Sequence, residues 1–110
     1  MSVLFRNDQQ RAAVCQALCE KAGLQSLWTP AGPSERATQL LRQYGGTLST
    51  GEHLMFLTAW AVWNGDGEVL LADLIERLDS SNLETLGTLL VAFAQDGIDE
   101  WVQEQGRQTS

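Results

Sequence analysis

The sequence predicts an all-α fold, a compact bundle or orthogonal array of five to six short helices. Three observations lead there. Apolar residues recur at i, i+3, i+4 and i+7 in most segments; polar caps and glycine stops punctuate the chain; and no stretch of useful length alternates apolar and polar at strand spacing.

The first helix is expected from residue 7 or 8 to 22, with Asp8 as its cap and Gly23 as its stop. Cys15, Leu18, Cys19 and Ala22 share one face of it, which turns both thiols toward the core. Residues 23–33, with Gly23, Pro30, Gly32 and Pro33, read as a loop anchored by Leu24, Leu27 and Trp28. A second helix starts after Ser34 and stops at Gly45-Gly46, with Ala37, Leu40, Leu41 and Tyr44 as its apolar stripe. Ser49-Thr50-Gly51-Glu52 is a capping box that opens the third helix. Leu54, Met55, Phe56, Leu57, Trp60, Val62 and Trp63 then leave no polar face, so this helix is expected at the centre of the fold.

Asn64-Gly65-Asp66-Gly67 breaks the chain, and Leu70, Leu71, Leu74, Ile75 and Leu78 mark a fourth helix. Ser81-Asn82-Leu83-Glu84 repeats the capping-box pattern and starts a fifth, whose stripe is Leu83, Leu86, Leu90 and Phe93, widened by Leu89. Gly87 inside that helix costs about 1 kcal/mol relative to alanine and points to close packing against a neighbouring backbone. After Asp96-Gly97, a last helix is expected over 98–105, and residues 106–110 are expected to fray.

The length, 110 residues, fits one domain over 1–110 with a single core. With 44% hydrophobic and 19% charged residues, the composition is that of a globular chain and not of a disordered or membrane one. The longest mostly apolar run, 54–63, is half of the roughly 20 residues a membrane span needs, and the N-terminus lacks the pattern of a secretory signal. A cytoplasmic location is the expectation, with Cys15 and Cys19 as reduced thiols.

Charge is unevenly spread. Residues 1–48 hold five basic and three acidic side chains, whereas residues 49–110 hold two basic and eleven acidic ones, for a net charge of −7. Such a C-terminal half repels nucleic acid and anionic membranes and attracts basic protein surfaces. A helix-turn-helix reader built from the second and third helices is excluded on the same ground, since its recognition helix would offer Glu52, His53 and then only apolar residues to the bases.

No motif calls for an enzyme or a cofactor. His53 stands in the first turn of a helix with no nucleophile beside it in sequence, and Asp99 and Glu100 are acids where a helix dipole favours them. Gly65 and Gly67 are followed by acids and leucines, unlike a phosphate-binding loop. Residues 62–73 carry Asn64, Asp66, Gly67, Val69 and Asp73 at positions three, five, six, eight and twelve of a twelve-residue stretch. This resembles the calcium loop of the EF-hand family, and the resemblance implies an ion-binding module with Asn64, Asp66 and Asp73 as ligands. Val62 stands where that family places an aspartate, and Asp73 is one methylene shorter than its bidentate glutamate, so a glycine-rich turn without metal is the reading taken.

The function expected is that of a non-enzymatic protein-interaction domain. Its acidic surface would bind a basic protein partner, as an inhibitor or decoy of a nucleic-acid-binding protein in the sharper form. Trp28, in a Pro/Gly loop, and Trp101, on a short terminal helix, are the candidate exposed anchors; Asp99, Glu100 and Glu104 are the candidate charges.

Overall fold

In a computed structural model, residues 5–65 and 69–109 are described, with side chains through Gly106. Among these residues the chain is all-α, with six helices and one two-residue β-ladder. Helix α1 (Asp8–Lys21) opens where predicted, but its cap is the residue before the expected Asp8. Asn7 is its cap, accepting from the Gln10 amide at 2.8 Å, and Asp8 lies in the first turn, where the helix dipole favours a carboxylate. Gly23 ends the helix with φ +79°.

Residues 23–33 are more ordered than a loop. A 3-10 turn at Gln25–Leu27 leads into β1 (Trp28–Thr29), which pairs antiparallel with β2 (Gly32–Pro33), Trp28 opposite Pro33 and Thr29 opposite Gly32. The Thr29 hydroxyl fixes the turn, donating to the Gly32 carbonyl at 2.9 Å and accepting from the Ala31 amide at 3.1 Å.

Helix α2 (Glu35–Arg42) is capped by Ser34 as expected, but it stops before Tyr44. Tyr44, Gly45 and Gly46 all take positive φ, and the Gly45 amide closes onto the Leu40 carbonyl at 2.8 Å. That turn swings Tyr44 into solvent and off the predicted stripe. Helix α3 (Thr50–Asn64) has both halves of the capping box: the Glu52 amide donates to Ser49 Oγ at 3.2 Å, and the Ser49 amide to Glu52 Oε1 at 2.8 Å. Such a cap contributes about 1 kcal/mol.

The central helix is α1, not α3. It packs against α3, the 3-10 turn, the β-ladder and the two last helices of the chain. Its buried residues Ala12, Val14, Cys15, Ala17, Leu18 and Cys19 are mostly small, and small side chains let several neighbours approach at once. The bulky residues of α3 instead spread the rest of the core: Leu54, Met55, Phe56 and Ala59 are buried, while Leu57, Trp60, Val62 and Trp63 are half-buried.

Helix α4 (Leu71–Arg77) has no buried residue. Of its predicted apolar stripe, Leu78 beyond its end is buried and Leu74 is half-buried, but Leu70, Leu71 and Ile75 are exposed. Helix α5 (Ser80–Ala94) begins at Asp79 instead of Ser81; the Asp79 carboxylate accepts from the Asn82 amide at 2.8 Å. A carboxylate is the stronger acceptor for a helix start, and the earlier cap leaves only two residues between α4 and α5. Its Leu86 and Leu89 are buried, while Leu90 is exposed. Beyond the backbone of its own helix, no described atom lies within 4 Å of where a Cβ on Gly87 would stand, so the predicted close approach of a neighbouring backbone is absent. Helix α6 (Ile98–Thr109) runs past the expected end at 105, since Gly106 alone does not interrupt its backbone. No described helix is long and apolar enough to cross a membrane.

Candidate partner-binding groove

The five residues singled out in sequence separate into three groups. Trp28 is 2% exposed and sits in an aromatic cluster, edge-on to Trp60 and Trp63 with centroids 6.0 and 6.1 Å away. It is a core residue. The β-ladder folds back so that Gly32, at φ +137°, lies under the Trp63 ring, where an added Cβ would stand 3.0 Å from the indole. This buries Trp28 and Gly32, while Thr29, Pro30 and Ala31 between them stay exposed.

Trp101 is 6% exposed, also against the sequence expectation. On α6, Ile98, Trp101 and Gln105 fall at i, i+3 and i+7 and form the buried face. The Trp101 indole N–H donates to Thr88 Oγ1 on α5 at 3.0 Å, which satisfies the polar edge of a buried ring. The Thr88 hydroxyl in turn donates to the Thr85 carbonyl at 3.0 Å, and the Thr85 hydroxyl to the Ser81 carbonyl at 2.9 Å.

The three acids do not share a face. Asp99 points toward the start of α1, where it accepts from Arg6 Nη1 at 2.8 Å and from Gln10 Nε2 at 3.0 Å. Hydrogen bonds from Arg6 and Gln10 hold its carboxyl below the usual carboxylate range, and the same contact raises the Arg6 guanidinium. Its work is to tie α6 to the N-terminal segment. Glu100 and Glu104, one helical turn apart, instead line a groove between α5 and α6.

That groove has a volume of about 820 Å³. Thr85, Thr88 and Trp101 form a floor of hydroxyls and one indole, with Val91 and Ala92 as its apolar part. Glu84 on α5 joins Glu100 and Glu104 on its exposed walls, and Lys21 from the end of α1 also lines it. Sequence reasoning missed Glu84, because its place beside Glu100 and Glu104 depends on how α5 and α6 pair. The separation of Asp99 from Glu100 and Glu104 was readable, since only the latter two are four apart.

A groove of this kind accepts hydrogen bonds and favours positive charge. Carboxylates on two helices can receive a guanidinium or ammonium group, while the threonine and indole floor meets the alkyl part of an arginine or lysine side chain. At the other candidate position, Asn64 is the last residue of α3, and Asp73 on α4 lies 3.7 Å from the Arg77 guanidinium; Asp66 and Gly67 lie outside the described residues. No group of three or more potential metal-ligating His, Cys, Asp or Glu side chains occurs among the described residues. No family model matches the chain, and neither a curated protein nor a solved structure is similar to it.

Proposed function

We propose that the protein is a non-enzymatic interaction domain that receives a basic segment of a protein partner in the groove between α5 and α6. The observation that carries this reading is the convergence of Glu84, Glu100 and Glu104 from two helices on one concave surface of about 820 Å³. The wider charge distribution supports it, since residues 49–110 carry eleven acids against two bases. Long-range attraction of that sign speeds encounter with a basic surface, and the groove supplies the place where encounter becomes binding. A nucleic-acid-binding protein is the class of partner that offers arginine- and lysine-rich segments to such a site. The floor favours binding over chemistry: the Thr85 and Thr88 hydroxyls are already donated to backbone carbonyls, with no described histidine or cysteine lining the groove.

Calorimetric titration with an oligoarginine peptide tests the proposal. The parent protein binds it, and affinity falls as salt rises from about 0.1 M to about 1 M, because the Debye length shrinks from about 10 Å to about 3 Å. Changing Glu84, Glu100 and Glu104 together to glutamine weakens binding by about threefold to about a hundredfold, since exposed charge pairs contribute about 0.2–1 kcal/mol each. Asp99→Asn, which removes a charge outside the groove, has a much smaller effect. Equal affinity of the parent and the triple variant overturns the assignment.

A further inference from the structure

Helices α5 and α6 run antiparallel along the groove in a definite register. The Gly97 amide donates to the Ala92 carbonyl at 2.8 Å and the Trp101 indole N–H to Thr88 Oγ1 at 3.0 Å, so four residues forward on α6 answer four back on α5. One turn further, the same register sets Glu104 and Gln105 level with Glu84 and Thr85. The groove is therefore acidic at its open end, with Glu100 midway, and apolar at Val91 and Ala92 beside the connecting turn. Its lining runs from Ser81 to Gln95 on α5, about 21 Å at 1.5 Å per residue, and from Gly97 to Gln105 on α6, about 12 Å.

The backbone along this stretch is closed to an occupant. The Leu83 amide donates to the Asp79 carbonyl and the Gln95 amide to the Val91 carbonyl, both at 3.0 Å, so from Leu83 to Val91 the N–H and C=O groups of α5 are spent within the helix. On α6 the same holds from Trp101 to Gln105. The hydroxyl protons of Thr85 and Thr88 and the indole proton of Trp101 are committed as well. An extended segment laid on this floor would leave those of its own N–H and C=O groups that face it unpaired. A helical segment pairs its backbone internally and asks the groove only for side-chain contacts.

We propose that the partner's segment is an amphipathic α-helix carrying arginine or lysine at i and i+4 and an apolar residue at i+7. This rests on the reading of the groove as the seat of a basic segment, and adds the conformation and spacing of that segment. Glu100 and Glu104 are one turn apart, which matches bases at i and i+4, with Glu84 facing the first of them across the groove. The level of Val91 and Ala92 lies a further turn along, where the apolar residue comes to rest. Carboxylates at the open end favour the positive N-terminal end of a helix, so the bases come first in the partner's sequence.

Acetylated and amidated alanine-rich peptides of about 15 residues test this, since that length is only marginally helical alone. The first has arginine at i and i+4 and leucine at i+7; the second moves one arginine to i+2, on the opposite helix face; the third places proline at i+3 of the first. Titrated into the 15N-labelled full chain, the first should bind about tenfold or more tightly than the others, and its 13C-labelled Cα signals should move to helical values on binding. Val91→Asp should weaken that peptide and leave oligoarginine binding no weaker; at 52% exposure the substitution spares the fold. If all the peptides bind equally, or none binds where oligoarginine does, the helical occupant is overturned while the groove reading stands. If oligoarginine also fails to bind, or binds the glutamine variant of Glu84, Glu100 and Glu104 as well as the parent, both are overturned.

Discussion

The two sides of this molecule use the same apolar vocabulary to opposite ends. Around α1, the β-ladder and α3, every large aromatic side chain finds a cover: Trp28 lies edge-on to Trp60 and Trp63, Phe56 meets Trp60 at 6.0 Å, and Gly32 lies under Trp63. On α4 and the outer face of α5, leucines, an isoleucine and a valine at equally regular spacing stay in solvent. Periodicity shows that a face is apolar. It does not show what covers it, and covered and uncovered faces differ sharply in what they contribute to folding.

A pair of truncations should separate the two sides most widely. Trp28→Ala removes a ring that is 2% exposed and is expected to cost about 3–5 kcal/mol, whereas Leu71→Ala, at a residue 69% exposed, should stay within about 0.5 kcal/mol. Urea denaturation of both variants measures the difference; similar losses would mean that α4 belongs to the core.

Glycines sharpen the same contrast with a change of sign. Gly32→Ala adds a methyl group 3.0 Å from the Trp63 ring at φ +137° and should destabilise by about 1–3 kcal/mol. Gly87→Ala meets nothing and should raise stability by up to about 1 kcal/mol, seen as a higher melting temperature in dilute solution. A loss of stability at position 87 would place an unseen neighbour there.

What the sequence disclosed follows the range of the interactions. The capping box at Ser49 and Glu52 was legible because its two hydrogen bonds close within four residues. The start of α5 was misplaced by two residues because Asp79 and Ser81 are both good caps, and only the connection to α4 decides between them. Trp28 looked exposed because its cover, Trp63, is 35 positions away in the chain. The groove was half legible: the spacing of Glu100 and Glu104 places them together, but Glu84 reaches them only through the pairing of two helices.

A pH-dependent effect comes from the thiols on the covered side. Cys15, whose thiol donates to the Ala59 carbonyl at 3.2 Å, and Cys19 are both fully buried. Burial pushes the Cys19 thiol up to about 12 and the Cys15 thiol higher still, against an ordinary value of about 8.5. The unfolded chain ionises first, so the thiols' contribution is complete below about pH 8.5 and is lost progressively as pH rises toward 12. The urea midpoint should therefore fall on going from pH 8 to pH 10.5 (roughly the span over which unfolded thiols ionise), and fall less when both cysteines are alanine. Equal slopes would mean that the thiols are open to solvent in the folded state.

Backbone amide shifts in a 15N-labelled sample report residue by residue where a basic segment binds. On titration with oligoarginine, shifts should concentrate at Ser81, Glu84, Thr88, Gln95, Glu100, Glu104 and the Trp101 indole N–H, all lining the groove between α5 and α6. Shifts spread evenly over acidic residues, with Asp73, Glu76 and Asp79 moving as much as Glu84 and Glu100, would contradict it, leaving a diffuse acidic surface in place of a binding site.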